Sequence, residues 1–188
     1  MVPGDGNSFP ELRTARFLLR RIVASDGPAV FAGLSDARVV ANYGVSYDSL
    51  EATREEMDWY EDLFRSGRGI WWGICAHQQP GALLGACGLN EIVPAHRRAE
   101  LGYWLLPDHW GTGAARECVA AVVTHAFHSM GLHRVGAEVD LDNIRSCRLL
   151  ERLGFRFEGI RRGYELKDGV FLDLKYYARL ATDPAPEA

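Results

Sequence analysis

The sequence has no long apolar run and no recognisable leader, and these two absences narrow where the protein is found. No uninterrupted apolar segment reaches the roughly 18 residues that a membrane-spanning helix needs. The N-terminus also lacks the basic and apolar regions that make up a secretory signal. We therefore predict a cytoplasmic protein without a membrane partner.

Closely spaced cysteines are missing too. The sequence has no Cys-x-x-Cys pair, which is the usual mark of zinc and redox sites, and its four cysteines are scattered at Cys75, Cys87, Cys118 and Cys147. We interpret them as buried thiols, with Cys118 or Cys147 as a covalent nucleophile remaining an alternative. His125 and His128 lie three residues apart on a predicted helix, but no third ligand is in register. We therefore predict no metal.

A surplus of positive charge is absent as well. The net charge is -4 at pH 7, which gives no electrostatic footprint for nucleic acid, so no such partner is predicted. The 188 residues show an ordinary globular composition, with 47% hydrophobic and 24% charged residues, and no linker or repeat divides them. We predict one domain with a core at about 12–180 and loose termini.

The most informative stretch of the chain lies between Glu100 and Phe127. Glu-Leu-Gly-Tyr-Trp-Leu-Leu predicts a strand, Pro107 and Asp108 predict a turn, and apolar residues at helical spacing then predict an amphipathic helix. Gly111 and Gly113 remove side chains where the chain enters this helix. Backbone N–H groups that the helix leaves unpaired would be accessible there, and with the helix dipole they suit a phosphate or pyrophosphate.

Glycines also end strands for purely structural reasons, so this pair alone leaves both interpretations open. No Gly-Lys-Ser/Thr follows, as a P-loop needs, and there is no third glycine at the spacing of a dinucleotide-binding fold. The combined stretch, Glu-Leu-Gly-Tyr-Trp-Leu-Leu-Pro followed by Trp-Gly-Thr-Gly-Ala-Ala, resembles the acetyl-CoA motif of the GNAT superfamily of N-acetyltransferases. The similar branch is that of the ribosomal-protein alanine N-acetyltransferases (RimJ/RimL-like).

The predicted order of elements agrees with this resemblance. It is strand, two helices, three strands, helix, strand, helix and two strands, where the first strand is Leu12 to Ile22 and the last two surround the turn signal Lys167-Asp168-Gly169. The resemblance extends over about 12–180, and it includes Asn143-Ile144-Arg145-Ser146. It implies an α/β fold with a mixed, mostly antiparallel central sheet that is splayed at the cofactor site and flanked by helices.

The resemblance also implies acetyl-CoA as the co-substrate. The backbone of Leu105 and Leu106 would bind the pantetheine arm, and Asn143 would contact it from the next helix. The pyrophosphate would lie on the loop made of Trp110, Gly111, Thr112, Gly113, Ala114 and Ala115. Family members often carry Gln or Arg at the position of Asp108, whose carboxylate cannot donate to a phosphate.

Glu100 is the candidate general base. It lies in an apolar strand, on the face opposite Leu101 and Tyr103, and a carboxylate there is costly unless it is paired or used. An attacking amine is largely protonated at neutral pH and must lose a proton first. The alternatives are an ion pair with Arg97, Arg98 or another basic group, or simple exposure.

Asn143 and Ser146 would share one face of a helix because they are three residues apart. By resemblance Ser146 protonates or hydrogen-bonds the departing sulfur. The alternative is that Asn143 is a helix cap and Ser146 a small packing residue, and the two roles of Asn143 can coexist. Tyr103 is interpreted as a core residue rather than an acid.

The acceptor side is predicted to include Tyr43, Trp72 and Glu91. Tyr47, Trp59 and Trp71 come from the same segments, although most of these aromatic residues are expected in the core. The predicted function is acetyl transfer to a primary amine, either a protein N-terminus or a small amine, by direct attack in a ternary complex. Alternatives are a non-catalytic acyl-CoA sensor and a plain interaction domain. The final strands and the surface aromatic residues leave room for a homodimer.

Overall fold

A computed structural model describes residues 8–167 and 169–186 of the chain. Eight strands form one sheet in the order β1-β2-β3-β4-β5-β6-β8-β7. The strands are β1 (Leu12–Arg13), β2 (Phe17–Arg21), β3 (Ile70–Ala76), β4 (Gln79–Val93), β5 (Arg98–Leu105), β6 (Arg134–Asp140), β7 (Arg156–Lys167) and β8 (Val170–Leu180). The helices are α1 (Gly27–Leu34), α2 (Ala37–Val40), α3 (Arg54–Ser66), α4 (Ala114–His128) and α5 (Ile144–Arg152).

The predicted α/β fold is confirmed, and the differences are local. The predicted first strand is two strands, because the chain turns back after Arg13 and pairs Leu12 with Leu19. Helix α2 is not predicted by the sequence: the side chain of Asp36 accepts from the N–H of Arg38 and so starts a helix soon after α1 ends. The turn between β3 and β4 lies between Ala76 and Gln79.

Helix α4 packs on one face of the sheet as its apolar spacing predicts. The side chains buried along it are Ala114, Cys118, Val119, Val122, Val123 and Ala126. Helices α1 and α3 contribute to a second core on the opposite face, around Trp71 and Trp104. Within the described ranges, no helix is long and apolar enough to cross a membrane.

The sheet opens where β5 leaves β6. These two strands are parallel and pair only from Arg98 to Glu100, against Arg134 to Gly136, whereas β4 follows β5 as far as Leu105. The N–H of Leu106 donates to the carbonyl oxygen of Leu84 in β4. Because backbone groups alternate along a strand, the N–H groups of Tyr103 and Leu105 point away from β4 and into the gap.

Two predictions fall partly outside the described residues. The turn residue Asp168 is one of those outside, while β7 and β8 flank it as an antiparallel pair with Lys167 opposite Val170. The loose termini predicted on either side of about 12–180 include residues 1–7 and 187–188, which also lie outside the described ranges.

Candidate active site

The gap between β5 and β6 continues into a cleft of about 280 Å³. It is lined by residues of β5 and of the strands β3, β4, β6, β7 and β8, by residues of α3 and α5, and by the segment that follows α2. Glu100, Tyr103, Asn143 and Ser146 all line this cleft, although the first two lie on β5 and the last two at the start of α5. The structure thus brings together both residues predicted to be catalytic and one predicted to bind the cofactor.

Glu100 lies in this cleft with its side chain only 12% exposed. The hydroxyl of Tyr176 donates to Oε1 at 2.8 Å, while Oε2 is buried and has no hydrogen-bond partner in the described part of the chain. Burial raises the pKa of this carboxyl, and the hydrogen bond from Tyr176 opposes that rise. A carboxylate with a raised pKa and a free oxygen is suited to accept a proton.

The structure gives little support to an ion pair between Glu100 and Arg97 or Arg98. Arg98 Nη1 lies 3.7 Å from Glu100 Oε1, which is too far for a hydrogen bond, and Arg98 is 40% exposed. Arg97 instead donates from Nε to the carbonyl oxygen of Gly131 at 2.8 Å. Solvent screens such a loose pair, so it does not neutralise Glu100.

Gly136 makes room for the Glu100 carboxylate. The two residues are opposite each other in the β5–β6 pair, and a Cβ at Gly136 would lie 2.3 Å from Glu100 Oε2 and 2.3 Å from the Tyr176 hydroxyl. Any larger residue would therefore displace the carboxylate. Sequence reasoning missed both Gly136 and Tyr176, because neither has a local signal and Tyr176 lies 76 residues from Glu100.

Tyr103 and Ser146 form a hydroxyl pair on the other side of the cleft. Their oxygens are 2.7 Å apart, and burial raises the pKa of Tyr103 to about 12. Asn143 Oδ1 accepts from the backbone N–H of Ser146 at 3.1 Å, so Asn143 is the predicted helix cap. Tyr103 was predicted to be a core residue. It packs against the core beneath α4, but its hydroxyl reaches the cleft.

The loop before α4 presents unpaired backbone donors. Gly111 and Gly113 have φ of 73° and 81°, in the left-handed region that favours glycine. Within the described residues, the N–H groups of Gly111, Thr112, Gly113 and Ala115 have no protein acceptor, and that of Ala114 is 3.4 Å from Thr112 Oγ1. A Cβ at Gly111 would meet no atom within 4 Å. The loop is thus an open cradle for an anion at a helix N-terminus.

Two arginines lie close to this cradle, and composition alone did not indicate them. Arg16 donates from Nη1 to the carbonyl oxygen of Thr112 at 3.0 Å and is held by Glu117. Arg145 lies over the ring of Trp110 at 5.4 Å. The Trp110 indole itself donates to the carbonyl oxygen of Leu105 at 2.9 Å, which fixes the loop against β5. Their positive charge favours an anion, although Asp108 is exposed nearby.

Leu106 does not offer the predicted backbone donor. Its N–H is used by the Leu84 carbonyl, and its own carbonyl accepts from the N–H of His109 at 3.0 Å. The sheet register instead turns Tyr103 and Leu105 toward the gap. The donor predicted at Leu105 is therefore available, and the second one lies at Tyr103.

The predicted acceptor residues are divided between the two faces of the sheet. Tyr43 and Glu91 line the cleft, as do Trp59 and Trp71. Trp72 does not: it is fully buried on the opposite face, where its indole donates to the Pro10 carbonyl at 2.6 Å. Side chains alternate along a strand, so Trp71 rather than Trp72 faces the cleft. We correct the acceptor site accordingly.

The four cysteines and His125 pack in or against the core. All four thiols are buried and free, and burial raises the pKa of Cys118 to about 12, which disfavours a thiolate. His125 stacks edge-on against Trp72 at 5.5 Å, and burial lowers its pKa. Among residues 8–167 and 169–186, no group of three His, Cys, Asp or Glu side chains is arranged to hold a metal.

Comparisons with known proteins agree with this geometry. The family model described as an acetyltransferase (GNAT) domain matches residues 16–156. An uncharacterized N-acetyltransferase of Bacillus subtilis, YoaA, is 38% identical over 90% of this chain and 96% of its own. The ribosomal-protein-serine acetyltransferase of Escherichia coli is 33% identical over 52% of this chain and 55% of its own.

Solved structures show the same fold. A ribosomal-protein α-N-acetyltransferase, RimL, in complex with coenzyme A has a TM-score of 0.79 at 24% identity, covering 91% of this chain and 98% of its own. A spermidine N-acetyltransferase of Vibrio cholerae in complex with coenzyme A and spermine has a TM-score of 0.78 at 23% identity, covering 89% and 96%.

Proposed function

The chain belongs to the GNAT acetyltransferase family, and on that basis we propose that it transfers an acetyl group from acetyl-CoA to the nitrogen of a primary amine. The observation that carries the proposal is the buried carboxylate of Glu100, whose side chain lines the cleft where β5 and β6 diverge and whose Oε2 has no hydrogen-bond partner among the described residues. Such a carboxylate is costly in a strand unless it serves a purpose. Proton removal from an amine is the purpose that the site fits.

The residues present fit acetyl-CoA, which supplies an activated acetyl thioester when bound. The N–H groups of Gly111, Thr112, Gly113 and Ala115, for which the structure describes no acceptor, would hold the pyrophosphate, with Arg16 and Arg145 beside it. The N–H groups of Tyr103 and Leu105 would hold the arm that runs through the gap. Donors at this position also stabilise negative charge on a carbonyl oxygen. Asn143 would flank the arm from α5.

Glu100 would prepare the amine. An aliphatic amine is mostly protonated at neutral pH, so its lone pair is unavailable until a proton leaves. Glu100 accepts that proton, directly or through a water, because burial raises its pKa toward the working pH. The amine nitrogen then bonds to the acetyl carbon as the carbon–sulfur bond breaks. No covalent enzyme intermediate is required, in line with the burial of all four thiols.

Ser146 would supply the proton for the departing sulfur. Its hydroxyl lines the cleft and is hydrogen-bonded to Tyr103, so a proton lost by Ser146 can be replaced along this pair. The Asn143 cap fixes the first turn of α5 and with it the direction of Ser146. We therefore extend the predicted acid from Ser146 to the Ser146–Tyr103 pair.

The test combines binding and turnover. Calorimetric titration of the purified chain with acetyl-CoA is expected to show saturable one-site binding, and thiol release is expected only when a primary amine is added. Binding without thiol release for every amine class would instead support a non-catalytic acyl-CoA sensor. Failure of the folded chain to bind acetyl-CoA would remove the proposal.

Tyr176→Phe is expected to shift the pH profile toward higher pH. The Tyr176 hydroxyl stabilises the charged form of Glu100, so its removal raises the pKa of Glu100 further. Turnover needs the deprotonated carboxylate, and the acidic limb of kcat/KM should therefore move up by roughly one pH unit, as expected for a hydrogen bond to a charged group.

The matched control for this prediction is Tyr177→Phe. The Tyr177 hydroxyl contacts Glu151 at 3.2 Å rather than Glu100, so this variant should keep the parent profile. An unshifted acidic limb in Tyr176→Phe would show that Glu100 does not set the profile.

A further inference from the structure

The part of the cleft where the acceptor would bind carries only negatively charged side chains among the described lining residues. Five carboxylates line it, and no Lys, Arg or His side chain is found among the described lining residues. The acidic residues are Glu91, Glu100, Glu138, Asp140 and Glu165. They come from four elements of the fold, so the folded chain gathers charges that are far apart in sequence.

The negative charge of this cluster is only partly neutralised, since Arg161 acts on Glu138 and Lys167 on Asp140. Among the residues that the structure describes, Arg161 pairs with Glu138, but no basic group lies within 4.0 Å of the carboxylates of Glu91, Asp140 or Glu165. Burial is the main cause that raises the pKa values of Glu138 and Glu100, and the positive charge of Arg161 opposes it in both. The negative charges of neighbouring carboxylates, Glu91 among them, raise both pKa values further. The carboxylates therefore repel one another across the cleft, and a cation placed between them would relieve that repulsion.

Two buried polar atoms at the cleft point independently to a polar occupant. Glu100 Oε2 is buried without a partner, and so is the indole N–H of Trp71, whose side chain is only 4% exposed. The structure describes no protein group that satisfies either atom. Leaving buried polar atoms unpaired is costly, so a ligand or water that bonds to them is favoured.

The remaining wall is aromatic. Tyr43, Trp59 and Trp71 line the same cleft, and aromatic faces attract ammonium groups. The volume of about 280 Å³ lies near the lower end of the range for small-molecule sites, roughly 300–1,000 Å³. A small amine suits this space better than the surface of a folded protein.

We propose that the acceptor is a small amine with a second positive charge, an inference that rests on the proposed function. One nitrogen loses its proton at Glu100 and is acetylated, while a second nitrogen stays protonated and is held by Glu91 and Glu165, for which the structure describes no basic partner. An amine with a single charge would leave these carboxylates facing one another. Specificity for the acceptor would thus come from charge at a distance from the reacting nitrogen.

The test compares 1,4-diaminobutane with butylamine, two amines of equal chain length that differ in the second charge. Thiol release by the full chain with saturating acetyl-CoA should give a kcat/KM at least tenfold higher for the diamine. Its two equivalent nitrogens account for only a factor of two. A peptide whose single charge is its α-amine should resemble butylamine.

Glu165→Gln and, separately, Glu91→Gln should lower the diamine-to-butylamine ratio by roughly threefold or more, through the KM of the diamine. The matched control is Glu51→Gln, because the Glu51 side chain is 87% exposed and lies outside the cleft. It should keep the parent ratio.

A parent ratio near two, a preference for the peptide, or a ratio that neither cleft variant changes would overturn the inference while leaving the acetyltransferase proposal intact. Thiol release with none of these amines, together with no binding of acetyl-CoA, would overturn both.

Discussion

Glu100→Gln is expected to lower kcat/KM for amine acetylation by about 10²- to 10⁴-fold, the range for loss of a general base. Glutamine has the same shape and keeps an oxygen that can accept from Tyr176, so the β5–β6 junction and Gly136 need not move. The amide cannot take a proton from the amine. The loss should diminish at high pH, where more of the amine is already neutral.

Steady-state kinetics across a pH series measures this effect. Glu61→Gln is the control, because Glu61 is a paired carboxylate on α3 whose partner is Arg21 and it lies outside the cleft. Affinity for acetyl-CoA should stay within about twofold of the parent in both variants. If Glu100→Gln retained parental turnover at neutral pH, Glu100 would be a structural carboxylate and the base would have to be sought elsewhere.

The Glu100 candidate could be predicted from sequence because its signal is local. A charged residue that alternates with Gly102 and Trp104 in an apolar strand stands out without any knowledge of the fold. Its partners do not stand out. Tyr176 reaches Glu100 only because β8 inserts beside β6 in the sheet, and the need for glycine at Gly136 exists only in that packing.

The two adjacent tryptophans show a different limit. Alternation predicts that Trp71 and Trp72 face opposite sides of β3, but it does not say which side holds the cleft. That depends on where helices cover the sheet. Helix α4 covers the side of Trp72, through His125, whereas Trp71 lies beside Trp59 of α3 and borders the cleft. Leu106 is a similar case, since its hydrogen bonds depend on the register of β4 against β5.

The sequence predicts the backbone of the glycine loop, but it does not predict the two arginines that lie beside the loop. Two glycines before an amphipathic helix indicate an exposed helix N-terminus, and the unpaired N–H groups agree with that. Arg16 comes from the turn between β1 and β2, and Arg145 from α5. Both arrive through tertiary contacts that no local pattern in the loop encodes.

Gly111→Glu is expected to weaken acetyl-CoA binding by roughly 30- to 100-fold, which corresponds to about 2–3 kcal/mol. The new carboxylate would lie in the proposed pyrophosphate cradle, where like charges a few ångströms apart repel by about this amount at the dielectric of a protein surface. Space is not the obstacle, because a Cβ at Gly111 meets no atom within 4 Å. Calorimetric titration with acetyl-CoA measures the loss.

Backbone strain is the competing explanation, and Gly67→Glu separates the two. Gly67 has φ of 68°, against 73° at Gly111, and a Cβ there also meets nothing within 4 Å, so both variants carry the same left-handed strain of roughly 1–2 kcal/mol. Gly67 ends α3, outside the loop before α4. If both variants lower the melting temperature equally but only Gly111→Glu loses acetyl-CoA binding, the effect is due to charge. Equal loss of binding in both variants would assign it to strain and remove the loop from the cofactor site.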